Sequence, residues 1–393
     1  MIIYKSRLIT YNRLVKSFIK FVGNFFLTVI IFGLVVLACG FFAVKYGWTN
    51  VAGKVDENDQ LYAVTSTKLE KIAEPEDREV AQPTIQNNII DERFALEQEN
   101  ACKISIISNY SPINAKAIES VVEENDSLPV TTNMILAVTL RLKEVPGFTD
   151  NSQYCESGQD GKVAGAMTQS SLISGNAFLW SNGEEWETIE AAVRKDRDLI
   201  NKTAIAAGIE PRLLAAALVV EQIRLYHTQR ELYEKVFKPL KILGTANKMA
   251  WGVMSIKEKT AMKVEDSLKD KNSPFYLGLE SENLLDFATD NPTQERFDRL
   301  VNEKDHSYSY LYGSLYLKEL EAQWEKAGTP IDKRPEILLT LYNLGFDRSK
   351  PKADPQVGGS DLDILGTKYT FGGLGYEFYY SGKMSDVFSY SDK

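Results

Sequence analysis

Gly208-Ile209-Glu210-Pro211-Arg212-Leu213-Leu214-Ala215-Ala216-Ala217-Leu218-Val219-Val220-Glu221 is the stretch on which the fold turns. Proline at a first helical position, with strong helix formers behind it, predicts a helix opening near Glu210. Leu213 to Val220 is apolar on every side, the mark of a helix buried at the centre of a domain. The run ends in Glu221, and the next cation along the chain is Arg224. A carboxyl at the inner end of such a helix is costly to ionise, so burial is expected to raise its pKa. An acid that keeps its proton near neutral pH can protonate the leaving oxygen of a glycosidic bond. The rival expectation is a structural acid paired with Arg224 or Arg230 on the following turns.

Around this helix the pattern stays helical. Ser111-Pro112 followed by Ile113, Ala117, Ile118, Val121 and Val122 predicts a capped helix. Thr132 to Leu142 predicts a second, stopped by Pro146-Gly147, and Glu184 to Ala207 a third, ended by Gly208. Tyr308 to Trp324 and Pro335 to Leu344 complete the set. Strand alternation is scarce, and Ile104 to Ile107 is its best candidate. The Asp150 to Gly165 segment reads as a polar, glycine-rich loop. Tyr369 to Ser381 (YTFGGLGYEFYYS) is dense in aromatics and glycine. Core packing is its expected role, with a sugar-stacking surface through Tyr376, Tyr379 and Tyr380 as the alternative.

The N-terminus carries a different signal. Phe21 to Val44 is 24 residues without a charge, enough for a bilayer, which takes roughly 20. Lys5, Arg7, Arg13, Lys16 and Lys20 precede it with no acid among them. That bias keeps the N-terminus cytoplasmic and sends the chain after the run outside. The long basic leader and long apolar run favour an uncleaved anchor over a signal peptide. Setting aside the six basic residues of the first 45 leaves 39 basic against 54 acidic, a net charge of −15. Such a surface repels nucleic acid phosphates.

Cys39 lies in the membrane run; Cys102 and Cys155 are the exported cysteines, free to pair in an oxidising compartment if their backbones approach. With two histidines, His227 and His306, and no CxxC or HExxH, neither a metal nor another cofactor is expected. No G-x-S-x-G supports a serine hydrolase.

Three segments downstream of Glu221 carry a resemblance: Trp251-Gly252-Val253-Met254-Ser255-Ile256-Lys257-Glu258-Lys259-Thr260-Ala261, Tyr310-Leu311-Tyr312-Gly313-Ser314-Leu315-Tyr316-Leu317, and Leu339-Thr340-Leu341-Tyr342-Asn343-Leu344-Gly345. In that order, over roughly residues 200 to 346, they resemble the lytic transglycosylases of the lysozyme-like superfamily, relatives of goose-type lysozyme. That family carries a catalytic Glu near the end of a buried helix, a Gly-apolar-Met-Gln-apolar stretch followed by Thr-Ala, and a later Ala-Tyr-Asn segment. The resemblance implies Glu221 as catalytic acid, Met254 and Ser255 as cleft-lining residues, and Tyr342 and Asn343 as the pair contacting sugar. The chain departs from the pattern at Gln222, where relatives carry Ser, at Ser255 for Gln, and at Leu341 for Ala. The 31 residues from Glu221 to Gly252 exceed the family's spacing and imply an inserted helix around Arg230 to Leu243.

The expected architecture is therefore mostly α. A cytoplasmic basic segment (1–20) leads into a transmembrane helix (21–45) and a polar extracytoplasmic stalk (46–101). A helical flanking subdomain (102–190) and an all-helical, lysozyme-like head (191–393) follow. The expected activity is that of a single-pass bacterial inner-membrane lytic transglycosylase acting on peptidoglycan glycan strands in the periplasm. The alternative is an inactive lysozyme-like protein that binds glycan or scaffolds an envelope or secretion complex. Hydrolysis, a third outcome, requires a second carboxylate to hold a water.

Overall fold

The computed structural model describes residues 93–125, 127–152, 155, 173, 175–227 and 250–391. It also describes the backbone of a helix over 83–92, a strand at 54–55 and three isolated positions, Phe32, Val35 and Cys39. The basic leader, the apolar run apart from those three helical, exposed residues, most of the stalk and of the 150–165 loop, and the inserted 230–243 segment lie outside the described residues. Among the described residues no helix is long and apolar enough to cross a membrane.

The described residues from Lys54 to His227 and from 250 to 391 belong to one compact unit, and they are mostly helical. Its helices are α1 (Pro83–Tyr110), α2 (Pro112–Glu124), α3 (Leu128–Leu142), α4 (Glu184–Lys195), α5 (Arg197–Ala207), α6 (Pro211–His227), α7 (Glu258–Lys269), α8 (Pro292–Leu300), α9 (Ser307–Lys326), α10 (Pro335–Leu344) and α11 (Phe371–Tyr379). Three antiparallel ribbons interrupt them, so the head is not all-helical. They pair β1 (Lys54–Val55) with β4 (Gly358–Gly359), β2 (Ala250–Trp251) with β3 (Ile256–Lys257), and β5 (Asp361–Ile364) with β6 (Thr367–Thr370).

The helix α6 is the axis of the unit. Leu213 to Val220 are all at most 3 % exposed, because α4, α5, α9, α10 and α11 pack round it. It opens where proline chemistry dictates: the Glu210 carbonyl accepts the N–H groups of Leu213 and Leu214. Gly208, at φ +72°, ends α5 just before it, a conformation that glycine adopts without a side-chain clash. The fully buried Arg212 fixes the C-terminal segment over the start of α6. Its guanidinium donates to the carbonyls of Tyr379 (2.8 Å), Phe388 (2.9 Å) and Phe378 (3.4 Å) and to the Tyr390 hydroxyl (3.0 Å). Glu210 accepts the Tyr379 hydroxyl at 2.6 Å.

Two further expectations are corrected. Ile104 to Ile107 is not a strand but part of α1. Ile106, Ile107 and Tyr110 are buried together, an i, i+1, i+4 pattern that one helical face satisfies and strand alternation does not. This helix also runs through residues 101 and 102. The expected 184–207 helix is broken at Asp196, whose φ −94° and ψ 7° leave the helical region. The Asp196 carboxylate is held there by His306 Nδ1 (2.5 Å) and the Tyr310 hydroxyl (2.7 Å) of α9, tertiary partners that no local pattern reveals. Cys102 and Cys155 form a disulfide, with Cα atoms 5.7 Å apart. The aromatic C-terminal segment is core: every residue of α11 is buried, as is Tyr380.

Candidate functional site

The end of α6 presents Glu221, whose side chain is 4 % exposed. Its partner is Arg224, one turn on, which places Nη2 at 2.5 Å and Nε at 3.1 Å from the same oxygen, Oε2. Among the described residues, Oε1 accepts no hydrogen bond. The geometry that the rival structural reading requires is thus present, and the unpartnered acid expected from the apolar run is not. The cause is helical spacing: residues three apart share a face.

Gln222 turns the other way and donates through Nε2 to the Val253 carbonyl at 2.7 Å. Val253 belongs to the tight turn Gly252–Ser255 that closes the β2–β3 hairpin, where the Ser255 N–H reaches the Gly252 carbonyl at 3.1 Å. The turn needs positive φ at both ends, +66° at Gly252 and +50° at Ser255. Glycine is obligatory at the first, since a Cβ there would lie 2.1 Å from the Leu300 carbonyl.

Met254 is fully buried and fits against Gly313 of α9, where an added Cβ would come within 2.8 Å of its Cε. Its carbonyl accepts the Tyr342 hydroxyl at 2.6 Å. The Tyr342 phenol is pushed well above its ordinary range by burial, with the charge of Glu221 and then Tyr316 adding and Arg224 opposing. It therefore acts as a donor near neutral pH. Behind it, Tyr316 donates to the Tyr342 and Leu341 carbonyls at 3.2 and 3.4 Å, and the two rings lie 5.0 Å apart. The hydroxyl of Tyr316 thereby occupies carbonyls that the C-terminus of α10 leaves open.

The sequence-predicted residues separate into two groups. Glu221, Met254 and Tyr342 converge, and Ser255 sits half-buried on the same turn. Asn343 points elsewhere: its Oδ1 accepts the Ser360 N–H at 2.8 Å, which ties α10 to the connection between β4 and β5. His227 is exposed at the last turn of α6. Among the described residues no cluster of His, Cys, Asp and Glu could hold a metal.

Sequence reasoning missed Tyr316 and the buried acid Glu319, both on α9. Glu319 is fully buried, with neither carboxyl oxygen hydrogen-bonded among the described residues, and burial pushes its pKa well above the carboxylate range. Four-residue spacing from Tyr312 to Tyr316 was the available signal for the first; nothing local distinguishes Glu319 from a surface acid.

No family model, curated protein or solved structure matches this chain.

Proposed function

We propose that this chain is a membrane-anchored peptidoglycan lytic transglycosylase with Glu221 as its single acid–base group. One observation carries the reading. The end of the helix that carries Glu221 and two of the segments that resemble that family, Trp251 to Ala261 and Leu339 to Gly345, far apart in sequence, are joined by direct hydrogen bonds: Gln222 to Val253 at 2.7 Å and Tyr342 to Met254 at 2.6 Å. Glu221, which would supply the carboxyl, precedes Gln222 on that helix, and among the described residues its Oε1 accepts no hydrogen bond.

The chemistry follows from one carboxyl. Protonated Glu221 gives its proton to the glycosidic oxygen as the bond to the muramyl anomeric carbon breaks. The substrate's own acetamido group stabilises the cationic carbon. Glu221 then takes the proton of the muramyl 6-hydroxyl as that oxygen closes on the anomeric carbon. The product is a 1,6-anhydro sugar, no water is consumed, and the acid is restored. Acid–base help of this kind contributes roughly 10²–10⁴-fold. Tyr342, held as a neutral donor, fixes the turn that carries Ser255, whose hydroxyl would bind a sugar. The apolar run before residue 45 would hold the enzyme at the inner membrane with its head in the periplasm.

A second reading has its own observation. The Glu221–Arg224 pair is what an inert lysozyme-like scaffold would show, and such a protein would bind glycan or organise an envelope complex without cutting. Incubating the full-length chain in detergent with purified sacculi separates the two. Release of anhydromuropeptides supports the enzyme; binding without release supports the scaffold.

A further inference from the structure

We infer that Asn125 is an attachment site for an N-linked oligosaccharide, transferred from a lipid pyrophosphate donor. The inference goes beyond the glycan-cleaving reading and shares with it only the extracytoplasmic place of the head.

The chain holds three Asn-x-Ser/Thr triplets without proline at x: Asn109-Tyr110-Ser111, Asn125-Asp126-Ser127 and Asn201-Lys202-Thr203. Such a triplet is an acceptor only where it lies at the surface with amide and hydroxyl both within reach. The structure separates the three. Asn109 belongs to the last turn of α1, and its amide donates to the Ser105 carbonyl at 2.7 Å. The hydroxyl two residues on, Ser111, is buried against Asn114. Asn201 lies inside α5, where the Thr203 hydroxyl is spent on the Leu199 carbonyl at 2.8 Å. Residues two apart in a helix do not share a face, so that amide and hydroxyl are not presented together.

Asn125 differs on each point. It stands between α2 and α3 with extended backbone, φ −144° and ψ 101°, and Ser127 is extended too, at φ −92° and ψ 103°. The Ser127 N–H donates to the Asn125 carbonyl at 2.7 Å, closing a tight connection between the helices. Both residues are half-buried, and Glu123, Glu124 and Pro129 beside them are exposed. The Ser127 hydroxyl makes no capping bond to α3. The Asn125 amide donates one long bond, 3.4 Å, to the Tyr390 carbonyl, near the outer limit for such bonds. A separate observation supports the compartment: Cys102 and Cys155 are paired, and structural disulfides belong to oxidising surroundings.

The transfer balances. Asn125 Nδ2 bonds to the anomeric carbon of the sugar as the bond from that carbon to the pyrophosphate oxygen breaks. The lipid pyrophosphate leaves with the electron pair, and the amide gives up one proton. Nothing is oxidised or reduced. One N–H remains on Asn125, enough to keep the Tyr390 contact.

Mass spectrometry of the full-length chain from its native cells, on the tryptic peptide 117–141, tests the assignment. The wild-type peptide should be heavier by an oligosaccharide and release sugar fragment ions. Asn125→Gln and Ser127→Ala should leave it unmodified, while Ser127→Thr should keep the sugar. An unmodified wild-type peptide, from a head that protease added to spheroplasts digests, overturns the inference. Sugar found on Asn109 or Asn201 in its place does the same. Should the protease fail to reach the head, the extracytoplasmic reading fails by itself. Purified full-length chain, given an oligosaccharyltransferase and a lipid-pyrophosphate-linked oligosaccharide, then decides: transfer to Asn125 upholds the acceptor, and no transfer refutes it.

Discussion

The phenol of Tyr342 donates to the backbone carbonyl of Met254 across 2.6 Å, joining positions 88 residues apart. The end of α10 thereby fixes the hairpin turn, and Gln222, the residue after Glu221, fixes the same turn from α6. Each partner is unremarkable alone. Together they make a frame that ties the ends of α6 and α10 to one turn.

Removing that bond has a definite cost. Tyr342→Phe keeps the ring against Tyr316 but strips the Met254 carbonyl of its buried donor, which costs about 1–3 kcal/mol. Urea unfolding of the two proteins should show it, together with slower product release. A variant as stable and as active as the parent would contradict the frame.

Gly252→Ala should be more severe. Its φ of +66° disfavours any side chain, and the new Cβ would meet the Leu300 carbonyl at 2.1 Å. Backbone must move to relieve this, so the loss should exceed about 2 kcal/mol. A thermal midpoint within error of the parent's would refute the turn geometry.

Two buried acids make stability depend on pH. Burial pushes Glu377 up to about 7 despite its bonds from Arg141 and Trp180, and pushes Glu319 well above the usual 4.5. As pH rises past 4.5 the unfolded chain sheds these protons while the folded chain keeps them, so stability falls with rising pH. For Glu377 the loss amounts to about 3 kcal/mol by pH 7 and then levels off. Glu319→Gln copies the protonated shape without titrating. Its stability advantage over the parent should grow from about pH 5 to about pH 8 in chemical denaturation; an advantage that shrinks over that range would contradict the assignment.

Much of this was readable before any coordinates. The apolar run from Leu213 forced a buried α6, and Pro335 with Gly345 bounded α10, because those signals are local. Asp196 was not readable as a helix break, since its cause is His306 and Tyr310 more than a hundred positions away. The helical state of Ile104–Ile107 was hidden for a related reason: β-branched residues favour strands until burial on one helical face outweighs propensity. In the site, order along the chain was enough to nominate Glu221, Met254 and Tyr342. The bond from the Ser360 N–H to Asn343 was not legible, because it depends on β4 returning beside α10. The Arg224 pair was one of two expectations that spacing allowed, and whether the cation folds back onto the acid depends on tertiary surroundings.

The disulfide gives a redox prediction. It closes a loop of 53 residues, for which chain entropy suggests about 4 kcal/mol of stabilisation. Thermal melts with and without reductant should differ, and Cys102→Ser should behave as the reduced parent does. Identical melts would mean the bridge contributes nothing to the folded unit.

The most direct test compares full-length wild type with Glu221→Gln on purified sacculi, with products weighed by mass spectrometry. The account predicts muropeptides lighter by one water than hydrolysis would give, and a rate lower by roughly 10²–10⁴-fold in the variant. Equal release from both proteins, or none from the wild type, would contradict it.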